Sequence, residues 1–290
     1  MKKIIVVGIL MSNFVFGQRI EKDTIETLEH DDGLIVGTKS ETFKKGAMLV
    51  FWGWNFAKYS KSDIRFKGDG YDFQLDNVVA HDRQTKFDWG TYFNPGRITI
   101  PQTNVRIAYF IKDNLAIVGG LDHMKYVMDQ DQTVDFSGRI DNPEFAGMVK
   151  NGQIDLSDEQ FLTYEHTDGL NYINFGLEKY KNLLHTKNFD INWGYGAGAG
   201  VLFPKTNAKL FGYERSDRFH VAGFGLDART NLNFILWRHI VARVEVKYGY
   251  INLPDVKTRL SGFSDKASQD FMFGQVNFGI GYTFNTRKNK

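Results

Sequence analysis

The sequence predicts an all-β fold, an eight-stranded antiparallel transmembrane β-barrel of the outer-membrane type. Three observations carry this prediction: eight segments alternate apolar and polar residues, long and short connections between them also alternate, and the chain opens on a secretory-type apolar run. Composition agrees, with 15% aromatic residues, 29 Gly and only 5 Pro. The 36 basic residues nearly balance the 34 acidic ones, so we expect no nucleic acid as a partner.

The N-terminus has the pattern of a cleaved signal peptide. Lys2 and Lys3 precede an apolar run over 4–16, and cleavage is expected between Gly17 and Gln18. The run is too short to span a bilayer as a helix. The sequence contains no cysteine, which excludes a lipoprotein anchor and disulfides. We therefore predict localisation in the outer membrane after cleavage near Gly17.

This organisation divides the chain into four parts. The charged, weakly patterned stretch that follows the signal is predicted to be a periplasmic N-terminal segment. The predicted parts are a signal peptide over 1–17, the periplasmic segment over 18–44, the barrel over 45–285 and a C-terminal tail over 286–290.

The last segment, 275–284 (QVNFGIGYTF), shows the alternation most plainly. Its apolar side chains fall on one face and its Gln, Asn, Gly and Thr residues on the other, because successive side chains of a strand point to opposite faces. The small polar face suits the wet interior of a narrow barrel, and the aromatic and β-branched face suits lipid. The final aromatic residue, Phe284, resembles the signal by which outer-membrane barrels reach their insertion machinery, which we expect as a partner.

Seven further segments show the same period of two. The eight predicted strands are 47–59, about 97–111, 115–128, about 170–180, 189–203, about 218–231, 240–253 and 271–285. Long polar connections at 60–96, 129–169, 204–217 and 254–270 alternate with short turns, as extracellular loops alternate with periplasmic turns in outer-membrane barrels.

A soluble eight-stranded barrel of the lipocalin type is the alternative fold. Such a barrel would have apolar residues inside. The seventh segment instead has Arg243, Glu245 and Lys247 on one face and Val244 and Val246 on the other. Consecutive charges are tolerated in a hydrated, mutually paired lumen and are costly against lipid, so the transmembrane barrel is favoured.

The inward charges have two interpretations. Arg106 and Glu178, with the three charged residues of the seventh segment, could form a salt-bridged plug that holds the lumen together. They could also support a polar site at the extracellular rim. The glycines of the fifth segment, at every second position from Gly194 to Gly200, would leave room for these long side chains.

Histidines and carboxylates gather at the predicted outer rim. By the topology His123, His166 and His220 lie at the same end of the barrel, with His81 in the first long loop. Such a cluster could bind a metal or transfer protons. It could equally be a set of solvated side chains, because the spacing contains no ligand signature.

Five short motifs at the rim and in the strands resemble a known family. They are Ile100-Pro101-Gln102, Val105-Arg106-Ile107, His123-x-Lys125, Thr167-Asp168-Gly169-Leu170-Asn171 and Glu245-x-Lys247. Together they resemble the barrel family that includes the lipid A oxidases of the outer membrane. The resemblance covers the second to fourth segments and the last two. It implies oxygen-dependent oxidation of the proximal glucosamine of lipid A at the outer leaflet.

The same resemblance implies a candidate site and its partners. The implied catalytic residues are His123, Asp168 and Glu245, and the implied substrate-binding residues are Lys125, Asn171 and Lys247. A divalent metal is the cofactor that such a site could hold, and outer-membrane lipid and lipopolysaccharide are the implied partners.

Two function classes stay open at this point. One is a lipid A-modifying enzyme at the outer rim, and the other is a non-enzymatic structural, adhesive or small-solute barrel with a salt-bridged lumen. An enzyme should keep inward rim residues unpaired around a cavity that opens to the leaflet. A structural barrel should neutralise each inward charge.

Overall fold

The computed structural model describes residues 42–97, 100–213, 218–259 and 264–286. The predicted signal peptide, most of the predicted periplasmic segment and residues 287–290 lie outside this part of the chain. The first described residues already contact the barrel, since the ring of Phe43 stacks on Phe110 at 4.7 Å.

The described residues form fifteen strands and three short helical turns. The strands are β1 Ala47–Tyr59, β2 Ser62–Gly68, β3 Tyr71–Val78, β4 Ala80–His81, β5 Thr103–Lys112, β6 Leu115–Met128, β7 Thr133–Ile140, β8 Gln153–Asp155, β9 Leu162–His185, β10 Phe189–Leu202, β11 Lys205–Leu210, β12 Arg218–Phe219, β13 Gly223–Leu236, β14 Ile240–Lys257 and β15 Lys266–Asn285. The helical turns are α1 Trp89–Tyr92, a 3₁₀ turn Pro95–Arg97 and α2 Pro143–Ala146. None of the helices among these residues is long and apolar enough to cross a membrane.

Eight of the strands close into a barrel, which confirms the predicted fold class. The order is β1-β5-β6-β9-β10-β13-β14-β15, and β15 pairs back with β1 in antiparallel register from Ala47↔Asn285 to Tyr59↔Phe273. Short turns at 113–114, 186–188 and 237–239 lie at the same end as the barrel termini. The long connections all lie at the other end, which is the outer end in the topology of outer-membrane barrels.

The strand faces follow the alternation that the sequence predicts. Apolar residues on the outside of the barrel are solvent-exposed in a band around it, including Ile107, Phe175, Val244 and Ile280. Their polar and charged neighbours along the same strands are buried inside. An apolar exterior with a polar interior is the reverse of a soluble barrel and matches a barrel that spans a membrane, so we call this band the lipid belt.

The prediction that the long connections are merely polar loops is wrong. β2, β3, β7 and β8 continue the sheet from the outer end of β15, and β11 and β12 continue it from the outer end of β9. Alternate residues of these strands, among them Ile64, Phe66, Phe73 and Leu75, are fully buried in one apolar core. The barrel therefore carries a folded outer extension stabilised by apolar burial.

Apolar layers cover both ends of the lumen. The core of the outer extension includes inward residues at the top of the barrel strands, such as Met124, Tyr172 and Phe271. A second cluster, which includes Leu49 and Phe110, fills the inward positions near the short turns. The polar middle of the barrel is thus enclosed between two apolar layers.

Candidate functional site

The middle of the lumen contains a balanced set of buried charges. Four cations and four carboxylates, each at most 6% exposed, share this space. We call them the lumen network: Arg106, Arg229, Arg243, Lys247, Asp122, Glu178, Asp227 and Glu245. Each lies within 4.0 Å of an opposite charge in the same set.

Two carboxylates organise the network. Asp122 accepts hydrogen bonds from Arg106 Nη2 and Lys247 Nζ, both at 2.5 Å. Glu245 accepts from Arg243 Nη2 at 2.5 Å and from Asn277 Nδ2 at 2.8 Å. Because every charge is matched and enclosed, the arrangement suits a structural plug.

The glycines of β10 give these side chains their space, as the sequence suggested. A Cβ at Gly196 would lie 2.7 Å from Glu178 Cγ, and a Cβ at Gly198 would clash with the Arg229 guanidinium. Both close approaches require glycine.

The candidate site residues from the sequence divide between the two sides of the barrel wall. His123 shares the outward face of β6 with Leu121, and Asn171 shares the outward face of β9 with Ile173. Glu245 belongs to the inward lumen network. His123 and Asp168 line a pocket outside the barrel wall, whereas Glu245 and Lys247 lie inside it. The expectation that these four residues complete one pocket is therefore wrong.

Four of the six residues do come together, in a pocket on the outside of the barrel. This rim pocket has a volume of about 410 Å³ and opens directly above the lipid belt, since His123 and Asn171 lie two residues above Leu121 and Ile173. Its lining residues are Ile100, His123, Lys125, Thr167, Asp168, Asn171, Lys205 and Phe219.

A β-bulge builds the rim pocket. Register is regular up to Met124↔Leu170 and resumes at Tyr126↔His166, so β9 has three residues between these pairs and β6 has one. The bulge contains Gly169, whose φ of +127° is a region that L side chains rarely adopt. A Cβ at Gly169 would also lie 2.7 Å from His123 Cε1, so glycine is required here.

Hydrogen bonds fix the polar groups of the rim pocket. His123 Nδ1 lies 2.8 Å from Asn171 Oδ1, and Lys205 Nζ lies 3.1 Å from Asp168 Oδ2. Lys125 Nζ donates to the Ile100 carbonyl at 2.7 Å and to Thr85 Oγ1 at 3.1 Å, which are both neutral acceptors. The two ammonium groups and one carboxylate give the lining a net positive charge.

The other rim histidines do not join His123. His166 is fully buried on the inward face of the outer extension, where it contacts Thr206 Oγ1 at 2.8 Å, and burial lowers its pKa to about 3. His81 pairs with Asp129, and His220 Nε2 lies 2.9 Å from Asp255 Oδ2.

The donor set does not fit the suggested divalent metal. No group of three or more His, Asp or Glu side chains placed to hold a metal occurs in the described ranges of the chain. His123 and Asp168 supply one imidazole and one carboxylate to the rim pocket, which are too few ligands for a stable divalent metal site.

Sequence reasoning missed Lys205 and Phe219 at the rim, and Asp122, Asp227 and Arg229 in the lumen. Lys205 could have been found, because the alternation of the fifth segment continues past Val201 and Phe203 to place it outward. Phe219 could not, since it comes from the two-residue strand β12, which pairs with β11.

The loop that contributes Thr85 and Ile100 is anchored at both ends. Asp82 Oδ2 accepts the backbone N–H of Ala57 at 2.8 Å, and Asp82 Oδ1 accepts from Gln102 Nε2 at 2.8 Å. Burial raises the pKa of the Asp82 carboxyl, and these hydrogen bonds partly oppose that rise. The loop therefore forms a fixed wall of the rim pocket.

Comparisons with known proteins give an architectural likeness. No family model matches the chain, and no curated protein matches it. The outer membrane protein OprG from Pseudomonas aeruginosa is 14% identical, with 84% of this chain and 98% of that chain covered and a TM-score of 0.41. AlkL, determined in DMPC bilayers, is 13% identical, with 87% of this chain and 97% of that chain covered and a TM-score of 0.39.

A third similar structure is Neisserial surface protein A, which is 11% identical, with 83% of this chain and 100% of that chain covered and a TM-score of 0.36. The eight-stranded architecture of this chain rests on its own strand pairing.

Proposed function

We propose that this chain is a non-enzymatic outer-membrane barrel whose rim pocket binds the phosphorylated headgroup of an outer-leaflet lipid, with lipid A of lipopolysaccharide as the chemistry that fits best. The observation that carries the proposal is the position of Lys125 and Lys205 on the outer wall, directly above the lipid belt. Lipid phosphates lie at this depth, and ammonium groups bind phosphate through charge-assisted hydrogen bonds.

The contacts of both lysines are compatible with an incoming phosphate. Lys125 is largely buried in the pocket wall, where it donates to two neutral oxygens and interacts at longer range with the carboxylates of Asp82, Asp168 and Glu165. A phosphate would bind it by replacing the neutral acceptors with a charged one. The Lys205–Asp168 pair is exposed, and exposed pairs contribute only about 0–1 kcal/mol, so a phosphate can compete with the carboxylate. Ile100 and Phe219 supply apolar walls for the sugar or the start of an acyl chain.

The lumen network supports a non-enzymatic function. Its four cations and four carboxylates are mutually paired, and the apolar layers enclose them. A side chain such as Glu245 is therefore out of reach of a lipid headgroup. The same enclosure opposes passage of solutes through the barrel.

Lipid A oxidation is the second candidate function. One observation favours it: the bulge brings His123, Asp168 and Asn171 to one pocket, and these are residues that the family resemblance implies. In this interpretation dioxygen, the oxidant that the family resemblance implies, would take two electrons and two protons from the hydrated sugar aldehyde and leave as hydrogen peroxide, so that water supplies the added oxygen. His123 and Asp168 would transfer the protons at the headgroup, and Lys125 would hold its phosphate. Lys247 takes no part, because it is buried in the lumen against Asp122.

Retention of defined lipids tests the first proposal. The purified protein is incubated with bis-phosphorylated lipid A or with its dephosphorylated form, washed, and analysed by mass spectrometry for retained lipid. We expect phosphorylated lipid A to be retained by the wild type and several-fold less by the Lys125→Gln/Lys205→Gln double variant.

A matched control changes two lysines at the opposite end of the barrel. Lys112→Gln/Lys187→Gln removes the same two charges beside short turns, and it should retain lipid A as the wild type does. Heat-modifiable electrophoretic mobility checks that each variant is folded. Equal retention by all three proteins, or equal retention of the dephosphorylated lipid, would overturn the proposal.

A further inference from the structure

A loop on the outside of the barrel presents aromatic side chains at the level of the lipid belt. This aromatic segment, residues 82–97, includes the helical turn α1. Phe93 packs on Trp52 and Trp54 with ring centroids 6.4 and 5.1 Å apart, and Tyr92 packs on Trp54 at 5.8 Å. Both tryptophans are outward residues of β1, so the segment lies against the outer wall.

The register of β1 sets the depth of this contact. Trp52 pairs with Ile280 and Trp54 pairs with Phe278, and both partners are exposed residues of the lipid belt. The belt continues one outward position higher, at Phe56 and its partner Val276, which are also exposed. The aromatic segment therefore covers positions below the upper edge of the belt.

The aromatic segment covers apolar side chains of the barrel wall and exposes apolar side chains of its own. Trp54 is only 7% exposed beneath it, whereas Phe87 and Trp89 on its far side are 62% and 71% exposed. Phe87 and Trp89 contact each other at 5.2 Å, and Trp89 stacks on Phe93 at 5.0 Å. Aromatic side chains exposed together at this depth match the belts that anchor proteins at a bilayer interface.

The backbone of the segment is compatible with a weakly hydrated environment. The Asp88 carbonyl accepts the N–H groups of Thr91 and Tyr92, and the N–H of Phe93 donates to the Trp89 carbonyl. Tyr92 Oη donates to the Thr85 carbonyl at 2.6 Å. Backbone groups that are already paired can approach acyl chains at low cost.

We infer that the aromatic segment is an interfacial anchor that inserts Phe87 and Trp89 into the outer leaflet beside the barrel. Its partner is the boundary between headgroups and acyl chains. The neighbouring charged side chains, Lys86, Asp88 and Arg97, are exposed and can reach the headgroup layer. The same loop contributes Thr85 to the wall of the rim pocket, but the insertion of Phe87 and Trp89 does not depend on phosphate binding there.

The absence of cysteine from the sequence makes a single-label experiment clean. Gly90→Cys places an environment-sensitive fluorophore within α1, where a Cβ meets no atom closer than 3.5 Å and all aromatic residues are kept. Tyr248→Cys labels the lipid belt, and Asp69→Cys labels an exposed turn of the outer extension. Each protein is reconstituted in vesicles with nitroxide-labelled acyl chains, and heat-modifiable mobility checks folding.

We expect the label at Gly90 to be quenched by the nitroxide lipid as strongly as the label at Tyr248, and to be several-fold less accessible to aqueous iodide than the label at Asp69. The Phe87→Ser/Trp89→Ser changes in the Gly90→Cys protein should reverse both results. If the Gly90 label behaves like the Asp69 label, or if the two serine changes have no effect, the segment is not inserted.

Discussion

Glu245→Gln removes one carboxylate from the lumen network while keeping the size of the side chain. Glu245 is 2% exposed, accepts a 2.5 Å hydrogen bond from Arg243 and lies 3.6 Å from Arg106. The change leaves four cations facing three carboxylates in an enclosed space. Removing one partner of a buried ion pair costs about 3–5 kcal/mol, so we expect a loss of that size in the free energy of unfolding.

The assay is urea unfolding of the barrel in vesicles, followed by tryptophan fluorescence. Glu159→Gln is the matched control, because it makes the same chemical change on an exposed loop and should alter the free energy of unfolding by about 0.5 kcal/mol or less.

A second variant separates lost charge balance from lost hydrogen bonds. Glu245→Gln/Lys247→Met restores equal numbers of cations and carboxylates and leaves Asp122 paired with Arg106. The double variant should lose less stability than the sum of its single changes, by about 0.5–3 kcal/mol. A Glu245→Gln protein as stable as the wild type, or strictly additive changes, would refute the reasoning that the lumen is held by balanced charge.

Two further predictions concern pH and topology. The pKa of His166 is about 3 in the folded protein against 6.5 normally, so the unfolded chain binds more protons between these values. The free energy of unfolding should therefore fall as the pH drops from 6.5 towards 3, by up to about 1.4 kcal/mol per pH unit. The urea midpoint should be lower at pH 5 than at pH 7, and the His166→Gln change should remove this difference. For topology, a bulky polymer maleimide should label Glu144→Cys in intact cells and Lys112→Cys only after the outer membrane is permeabilised, and equal labelling at both positions would rule out the orientation.

The barrel itself could be predicted because each strand has one lipid face and one lumen face. Period-two alternation placed the first strand at Ala47–Tyr59 and the third at Leu115–Met128, as observed. The fourth strand was predicted over about 170–180 and spans Leu162–His185. It is longer because its outer end pairs with β11 and its inner end continues to pair with β10 as far as His185, which the alternation of one segment does not reveal.

The outer extension was missed although its sequence contains a signal. In β2 and β3 every second residue is buried, including Ile64, Phe66, Phe73 and Leu75, and the residues between them are charged or polar. Frequent charges made these stretches look like solvated loops. The alternation was short, and the partner strands come from distant parts of the chain, such as β15.

The candidate site was predicted in part. The alternation places His123 on the same face as Leu121, so its outward orientation was available from sequence. The bulge that turns Asp168 towards the same pocket could not be predicted from sequence, because it depends on the register between β6 and β9. The prediction that Glu245 and His123 belong to one site is wrong, because it rested on short motifs. Such motifs carry no information on which side of the barrel wall a side chain lies.

Mass spectrometry of lipid A tests the central claim most directly. Lipid A is extracted from cells that lack the protein, express it, or express His123→Ala, which alters the histidine of the rim pocket. Binding without chemistry predicts the same lipid A masses in all three. A gain of one oxygen on the lipid A that appears with the wild-type protein and disappears with His123→Ala would contradict the claim and establish the enzyme.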